Sequence, residues 1–263
     1  MKKINSIILL LVTMLAVLPL QSCRAASNKS DGNLETRTIS VGDFDAIDCS
    51  FVKLEYTVGN PGDAVLTADT DIIDDIVVRN DKGTLRIGFK QGHNHKNDVY
   101  FTMKVASKGL KEIEAKVSAL VNVNSALDCR KLKISTTTSS VVNIPQLRCN
   151  SAELSATTSS IIKIDNLKSE DIDIKSTTSA EIVVKSLMAD ELDALSTTSA
   201  SISLDGGKVN DMDLRCTTSA GLKAALDYTK GEAVASTNGT IRTYTARLNS
   251  KKTGTGGSVK NIK

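Results

Sequence analysis

From residue 131 onward, apolar side chains occupy alternate positions, as in Leu132 and Ile134 and then Val142 and Ile144, with polar residues between them. This is the period of a β-strand with one buried face. The alternation itself recurs every twenty residues. Ile134, Leu154, Ile174, Ala194 and Leu214 make one apolar column, and Val142, Ile162, Ile182, Ile202 and Leu222 make a second. Leu132, Ala152, Ile172, Leu192 and Met212 make a third, and Leu147, Leu167 and Leu187 fill a turn. The tripeptide Thr-Thr-Ser begins at Thr137, Thr157, Thr177, Thr197 and Thr217, with a decayed copy at Thr237-Asn238-Gly239. Two short strands per coil, joined by Ser/Thr corners and polar turns, leave no room for a helix. The pattern predicts an all-β protein, a single-stranded parallel β-helix or solenoid with coils of about twenty residues. Leucine-rich repeats have a similar period but need an Asn that these coils lack. The chirality of parallel crossovers predicts a right-handed coil.

In such a fold, equivalent residues stack at about 4.8 Å. One coil cannot bury its apolar face, but a stack makes a continuous core. Parity places Thr138, Thr158, Thr178, Thr198 and Thr218 inward, where their hydroxyls can donate along the ladder and to corner carbonyls. Ile113, Ala115, Val117, Val121 and Val123 match the pattern one coil earlier, with one extra residue. Before residue 110 strand alternation persists, as in Val52, Leu54 and Tyr56, but the twenty-residue register is absent. Residues 37–110 therefore read as an irregular N-terminal β cap continuous with the solenoid. Residues 111–263 hold the regular coils and, through Thr240-Ile241-Arg242 and Gly257-Ser258-Val259, a C-terminal cap.

The first residues have another logic. Lys2 and Lys3 precede an apolar run from Ile7 to Leu20, followed by Leu20-Gln21-Ser22-Cys23. A basic start, a short apolar core and a small-residue cleavage site make residues 1–22 a secretory signal peptide. The run contains Pro19 and is too short for a membrane-spanning helix. The four residues ending at Cys23 resemble the lipobox of bacterial lipoproteins. That resemblance makes Cys23 the lipidated first residue of the mature chain, and residues 23–36 a flexible tether. It implies a lipid-anchored protein of the cell envelope; the expected place is the outer membrane or cell surface rather than the inner membrane.

Charge removes one class of partner. The full chain carries 33 basic and 30 acidic residues, a net +3, and losing Lys2 and Lys3 leaves 31 − 30 = +1. No bulk field recruits nucleic acid. The apolar content of 40% excludes a disordered chain, although aromatic residues make up only 3%.

Arg37, Val41, Phe44 and Ile47, the Gly83-Thr84-Leu85 strand, the Asn238 to Tyr244 run and Gly256-Gly257-Ser258-Val259 resemble the putative auto-transporter adhesin, head GIN domain family. The resemblance spans about residues 37–262. It implies a β-helix exported by Bacteroidetes-like bacteria and a role in adhesion. The central coils depart from it by using Thr-Thr-Ser where Ser-Gly-Ser-Gly corners are usual.

Four groups of side chains are candidates for chemistry. Glu153, Asp173, Asp193 and Asp213 share one outward row, with Asp171, Glu191 and Asp211 two residues earlier. Stacked carboxylates raise one another's pKa and invite a hard cation, so Asp171, Asp173, Glu191, Asp193, Asp211 and Asp213 form a candidate Ca²⁺ site. A solvated outer face offset by Lys168, Lys175 and Arg215 is the plainer account. Thr137, Thr157, Thr177, Thr197 and Thr217 form a hydroxyl row that could meet a repetitive polymer, as the Thr faces of ice-binding solenoids do, or simply satisfy corner backbone. Cys129 and Cys149 are one coil apart, within disulfide range. Cys216 lies in the small inward column, and Cys49 has no evident partner. His93 and His95, with Asp98, could share a transition metal but lack a third fixed ligand.

No Ser/His/Asp order, phosphate-cradling loop or Cys-x-x-Cys pair appears, and no other cofactor is indicated. Residues 103–227 contain no aromatic platform for a sugar ring. The expected function is therefore a lipid-anchored adhesin or scaffold without catalysis, binding a glycan or a host or envelope protein. A polysaccharide-active enzyme using the carboxylate ladder is the alternative, and a structural spacer is the third reading.

Overall fold

The computed structural model describes residues 33–91 and 101–262; the Cys23 leader and the His93, His95 and Asp98 group lie outside them. Strands stack in parallel, in register, at the period seen in the sequence. Ser151–Thr157 pairs with Asp171–Thr177, setting Ala152 beside Ile172 and Leu154 beside Ile174. Ile161–Lys168 pairs likewise with Glu181–Ser196, setting Ile162 beside Ile182. The three predicted apolar columns are buried along their length. Each fully buried Leu, Ile or Val contributes about 1.5–3 kcal/mol, which is why stacking drives the fold.

The coil has three faces rather than two. Val141–Arg148 bends at Pro145, which has no partner in the ladder, and resumes pairing at Gln146. Leu147, Leu167 and Leu187 are thus buried on a third parallel face instead of filling a turn. Gly207 continues that column at φ 126°, where a Cβ would lie 1.8 Å from the Leu187 carbonyl oxygen.

The Thr-Thr-Ser corners turn by two consecutive residues in the left-handed region. Thr158 and Ser159 have φ of 55° and 59°, and the other four complete copies repeat the pair. In each corner the second residue's N–H donates to the carbonyl of the first residue in the next coil, as Ser159 does to Thr178 and Ser179 to Thr198. This reverses the parity expected after Thr137. Thr138, Thr158, Thr178, Thr198 and Thr218 are exposed, not inward, because each left-handed pair swings the chain by one position. The inward hydroxyls are one step later. Ser140 donates to the Ala115 carbonyl at 2.8 Å and Ser160 to the Thr136 carbonyl at 2.9 Å. Cys216 is buried as expected, and its thiol donates to the Ala220 carbonyl as Ser196 and Ser176 do to theirs one and two coils earlier. Val117, at φ 33°, is likewise a corner residue and not part of the inward row.

The region before residue 110 is threaded out of order. Ala46–Ser50 pairs on one side with Thr84–Phe89 and on the other with Glu112–Lys116. Val52–Val58 pairs with Phe101–Ser107 and with Leu120–Val123. The first rung in sequence is therefore the second in space, which is why no twenty-residue repeat is legible there. The Asp48 carboxylate ties three rungs together, accepting from Arg86 at 2.7 Å and from Lys116 at 2.9 Å. Antiparallel additions cover the outer rung: Ile76–Asp81 on Thr84–Phe89, and Asp63–Asp69, itself paired with Leu34–Ser40, on Phe101–Ser107. Phe89 and Phe101 close this end with ring centroids 5.5 Å apart.

At the other end, the drifting coils of the C-terminal cap continue the ladder. Ser250–Thr253 pairs with Asp227–Ala235, and Ser258–Asn261 with Thr240–Thr243. Lys251, Lys252 and Lys260 project from these last strands, the charged edge that discourages further pairing.

A left-handed φ costs a β-branched residue roughly 1–2 kcal/mol. Thr178→Asn is expected to raise unfolding stability by about 0.5–1 kcal/mol in chemical denaturation. Ser179→Pro, which removes the donor to Thr198 and cannot adopt φ 61°, should cost about 3 kcal/mol or more.

Candidate functional site

The second face carries an outward polar row across the junction between the threaded region and the regular coils. Register aligns Lys104, Glu55, Asn122, Asn143 and Lys163 in five successive rungs. The amides and the carboxylate are linked to one another. The Asn122 side chain donates to Glu55 Oε1 at 2.9 Å, the Asn124 side chain donates to Oε2 at 2.8 Å, and Asn143 donates to Asn122 Oδ1 at 2.9 Å. Lys53 Nζ adds an ion pair to Oε1 at 3.8 Å.

Two open recesses of about 580 and 710 Å³ meet at Glu55 and Asn124. One runs over the coils, past Asn143, Pro145 and Lys163 to the Lys185–Asp165 ion pair. The other runs over the threaded region, past Thr57, Thr102 and Lys104. Partial burial pushes the Glu55 carboxyl up, but the Asn122 and Asn124 amides and the nearby lysines outweigh it, leaving its pKa below the usual range. The cleft thus offers a fixed carboxylate, a row of amides and flanking ammonium groups at ladder spacing. None of its lining residues is aromatic. Sequence reading missed this cleft because its residues come from the threaded region and from Asn122 and Asn124, in no motif.

The carboxylate ladder forms in register: Glu153, Asp173, Asp193 and Asp213 in one row, and Asp171, Glu191 and Asp211 in the next. Among the described residues no three His, Cys, Asp or Glu side chains gather as a metal set. A parallel ladder points equivalent side chains outward side by side, not toward a common centre. Cations also reach into it: Lys131 lies 3.7 Å from Glu153, Arg215 lies 2.6 Å from Asp213, and Lys230 lies 3.5 Å from Asp211. Burial, then repulsion from Asp193 and Glu153, raises the Asp173 pKa, with Lys175 opposing.

The hydroxyls of the Thr137, Thr157, Thr177, Thr197 and Thr217 row are largely turned on their neighbours. Thr137, Thr157, Thr197 and Thr217 bond the next threonine in sequence, at 3.2–3.4 Å, and Thr177 donates to Thr157 at 3.1 Å. This is corner chemistry. Cys129 and Cys149 are half-buried free thiols in neighbouring coils, and Cys49 is a buried one. No described helix is long and apolar enough to cross a membrane.

Comparisons with known proteins agree with this architecture. The family model for the putative auto-transporter adhesin, head GIN domain matches residues 43–166 and 150–261. A crystal structure of a putative adhesin from Parabacteroides merdae superposes with a TM-score of 0.79 at 24% identity, covering 89% of this chain and 98% of that one. A putative adhesin from Parabacteroides distasonis gives 0.74 at 23% identity over 89% and 98%. A protein from the same species described as a putative lipid binding protein gives 0.70 at 22% identity over 89% and 98%. These likenesses establish a shared fold. No curated protein matches the sequence.

The two carboxyls should move in opposite directions in a ¹³C-detected NMR titration. Glu55 is expected below the ordinary glutamate midpoint, and Asn122→Ala should raise it. Asp173 is expected above the ordinary aspartate midpoint, and Asp193→Asn should lower it. The linkage signs follow. A lowered folded-state pKa at Glu55 contributes stability that is lost as pH falls through it. A raised one at Asp173 contributes stability at low pH that is lost as pH rises through it.

Proposed function

The chain belongs to the putative auto-transporter adhesin, head GIN domain family, and from that premise we propose that it is an adhesive binding module of the cell surface without catalytic activity. In this reading Cys23 carries the lipid, the residues between it and the first strand at Leu34 lift the solenoid off the bilayer, and the cleft centred on Glu55 meets the partner. The observation that carries it is the Glu55 carboxylate held ionised by the Asn122 and Asn124 amides where the two recesses meet.

A carboxylate beside amides offers acceptors and donors in a fixed plane, the complement of neighbouring hydroxyls on a glycan. Flanking Lys53, Lys104 and Lys163 extend this to acidic sugars. Without an aromatic platform each contact is weak, and adhesion would draw its strength from many lipid-anchored copies meeting a repetitive surface.

The test is a glycan and matrix-protein array probed with the full chain. Binding to a single glycan class is expected, with Glu55→Ala and Asn122→Ala each weakening it about tenfold or more, while Thr177→Val leaves it intact. Binding lost in Thr177→Val but not in Glu55→Ala would move the site to the threonine row. Silence across the array would favour a spacer, and depolymerisation of a bound glycan would replace adhesion with catalysis.

A further inference from the structure

The third face of the solenoid begins at a weak point. Its first strand, Leu127–Asp128, is two residues long and pairs on one side only, with Leu147 and Arg148 of the following coil. Edges of this kind are where a parallel stack frays. Directly after the strand, the Cys129 N–H donates to the Arg148 carbonyl at 3.0 Å, which sets Cys129 against Cys149 in the same register. Consecutive rungs are about 4.8 Å apart, inside the Cα separation that a disulfide bridges.

Both thiols are free and half-buried, and they face each other from neighbouring coils. Cys149 lies 3.6 Å from the Ser169 hydroxyl in the next coil. Cys129 also lines an open recess of about 460 Å³, whose Lys108 and Lys111 are paired with Asp43 and Asp45, so the cysteine pair is reached from solvent on this side. Cys49 and Cys216 differ on every count: they are buried in the core, and Cys216 is spent on the Ala220 carbonyl.

We propose that Cys129 and Cys149 form a disulfide in the oxidised protein, a covalent staple that pins the edge strand Leu127–Asp128 to the coil after it. The two thiols sit differently: Cys149 lies beside the Ser169 hydroxyl within the stack, and Cys129 follows the edge strand. The neighbouring Cys129 thiol and the Ser169 hydroxyl lower the Cys149 pKa, while the Cys149 contact and burial raise that of Cys129. The Cys149 thiolate attacks one sulfur of a small-molecule disulfide such as glutathione disulfide, forming a mixed disulfide and releasing one glutathione thiolate. The Cys129 thiol then loses its proton to solvent and attacks the Cys149 sulfur, releasing the second. Two protein thiols are oxidised and one glutathione disulfide is reduced to two thiols, so electrons and protons balance.

The experiment uses the full chain, reduced and then incubated with glutathione disulfide at neutral pH. Non-reducing tryptic mapping should find peptide 117–130 cross-linked to peptide 149–163, two hydrogens lighter than the sum. The thermal midpoint should rise by about 5 °C or more over the reduced protein. Cys129→Ser should retain glutathione on Cys149 because nothing resolves it, and Cys149→Ser should leave Cys129 largely unmodified. Stable glutathione adducts on both wild-type cysteines, unmodified thiols, or a cross-link that joins different cysteines or two chains would each overturn the proposal.

Discussion

The whole stack depends on how one backbone turns its corner. Two successive residues adopt the left-handed region, a conformation that disfavours L side chains, and they do so in every regular coil. The cost is offset by the next coil. A corner amide such as that of Ser159 would be unpaired in an isolated coil, but in the stack it meets the Thr178 carbonyl. Corner strain and coil stacking are thus one cooperative unit: neither is favourable alone, and each added coil satisfies the corner before it. The inward serines that follow the early corners serve the same end by closing on carbonyls of neighbouring rungs.

That coupling explains what could be read from the chain. The apolar columns at Ile134, Val142 and Leu132 announce burial because their period is rigidly twenty, and all three are buried. The direction of Thr138 was not legible, since period-two parity assumes extended backbone and fails across a left-handed pair. Pro145 marks a bend that alternation cannot see, and so Leu147 and its equivalents belong to a face where a turn was expected. Lys251 and Lys260 lie in continuing strands because the last coils keep register after their sequence has drifted.

The candidate site was less legible than the fold. The carboxylate ladder drew attention because it repeats, yet repetition in a parallel stack yields side-by-side groups with Lys131, Arg215 and Lys230 among them. Glu55, Asn122 and Asn124 carry no pattern in the sequence. They converge only because Val52–Val58 is inserted between two rungs that come later in the chain. Structural individuality on a repeat protein arises where the repeat breaks, and here the break brings together a carboxylate, three amides and several lysines.

The same insertion has a kinetic consequence. Each regular coil needs only the preceding twenty residues to dock, so the stack can grow by short loop closures. The rung around Asp48 must instead find Arg86, 38 residues away, and Lys116, 68 residues away, while Tyr56 reaches Ser107 across 51. Closing such loops is slower and carries a larger entropic cost. Although it is made first, the N-terminal rung is then among the last parts of the molecule to be completed. A chain that has folded its regular coils still presents the Glu55 row without its neighbours, and the cleft comes into being only when the threading finishes.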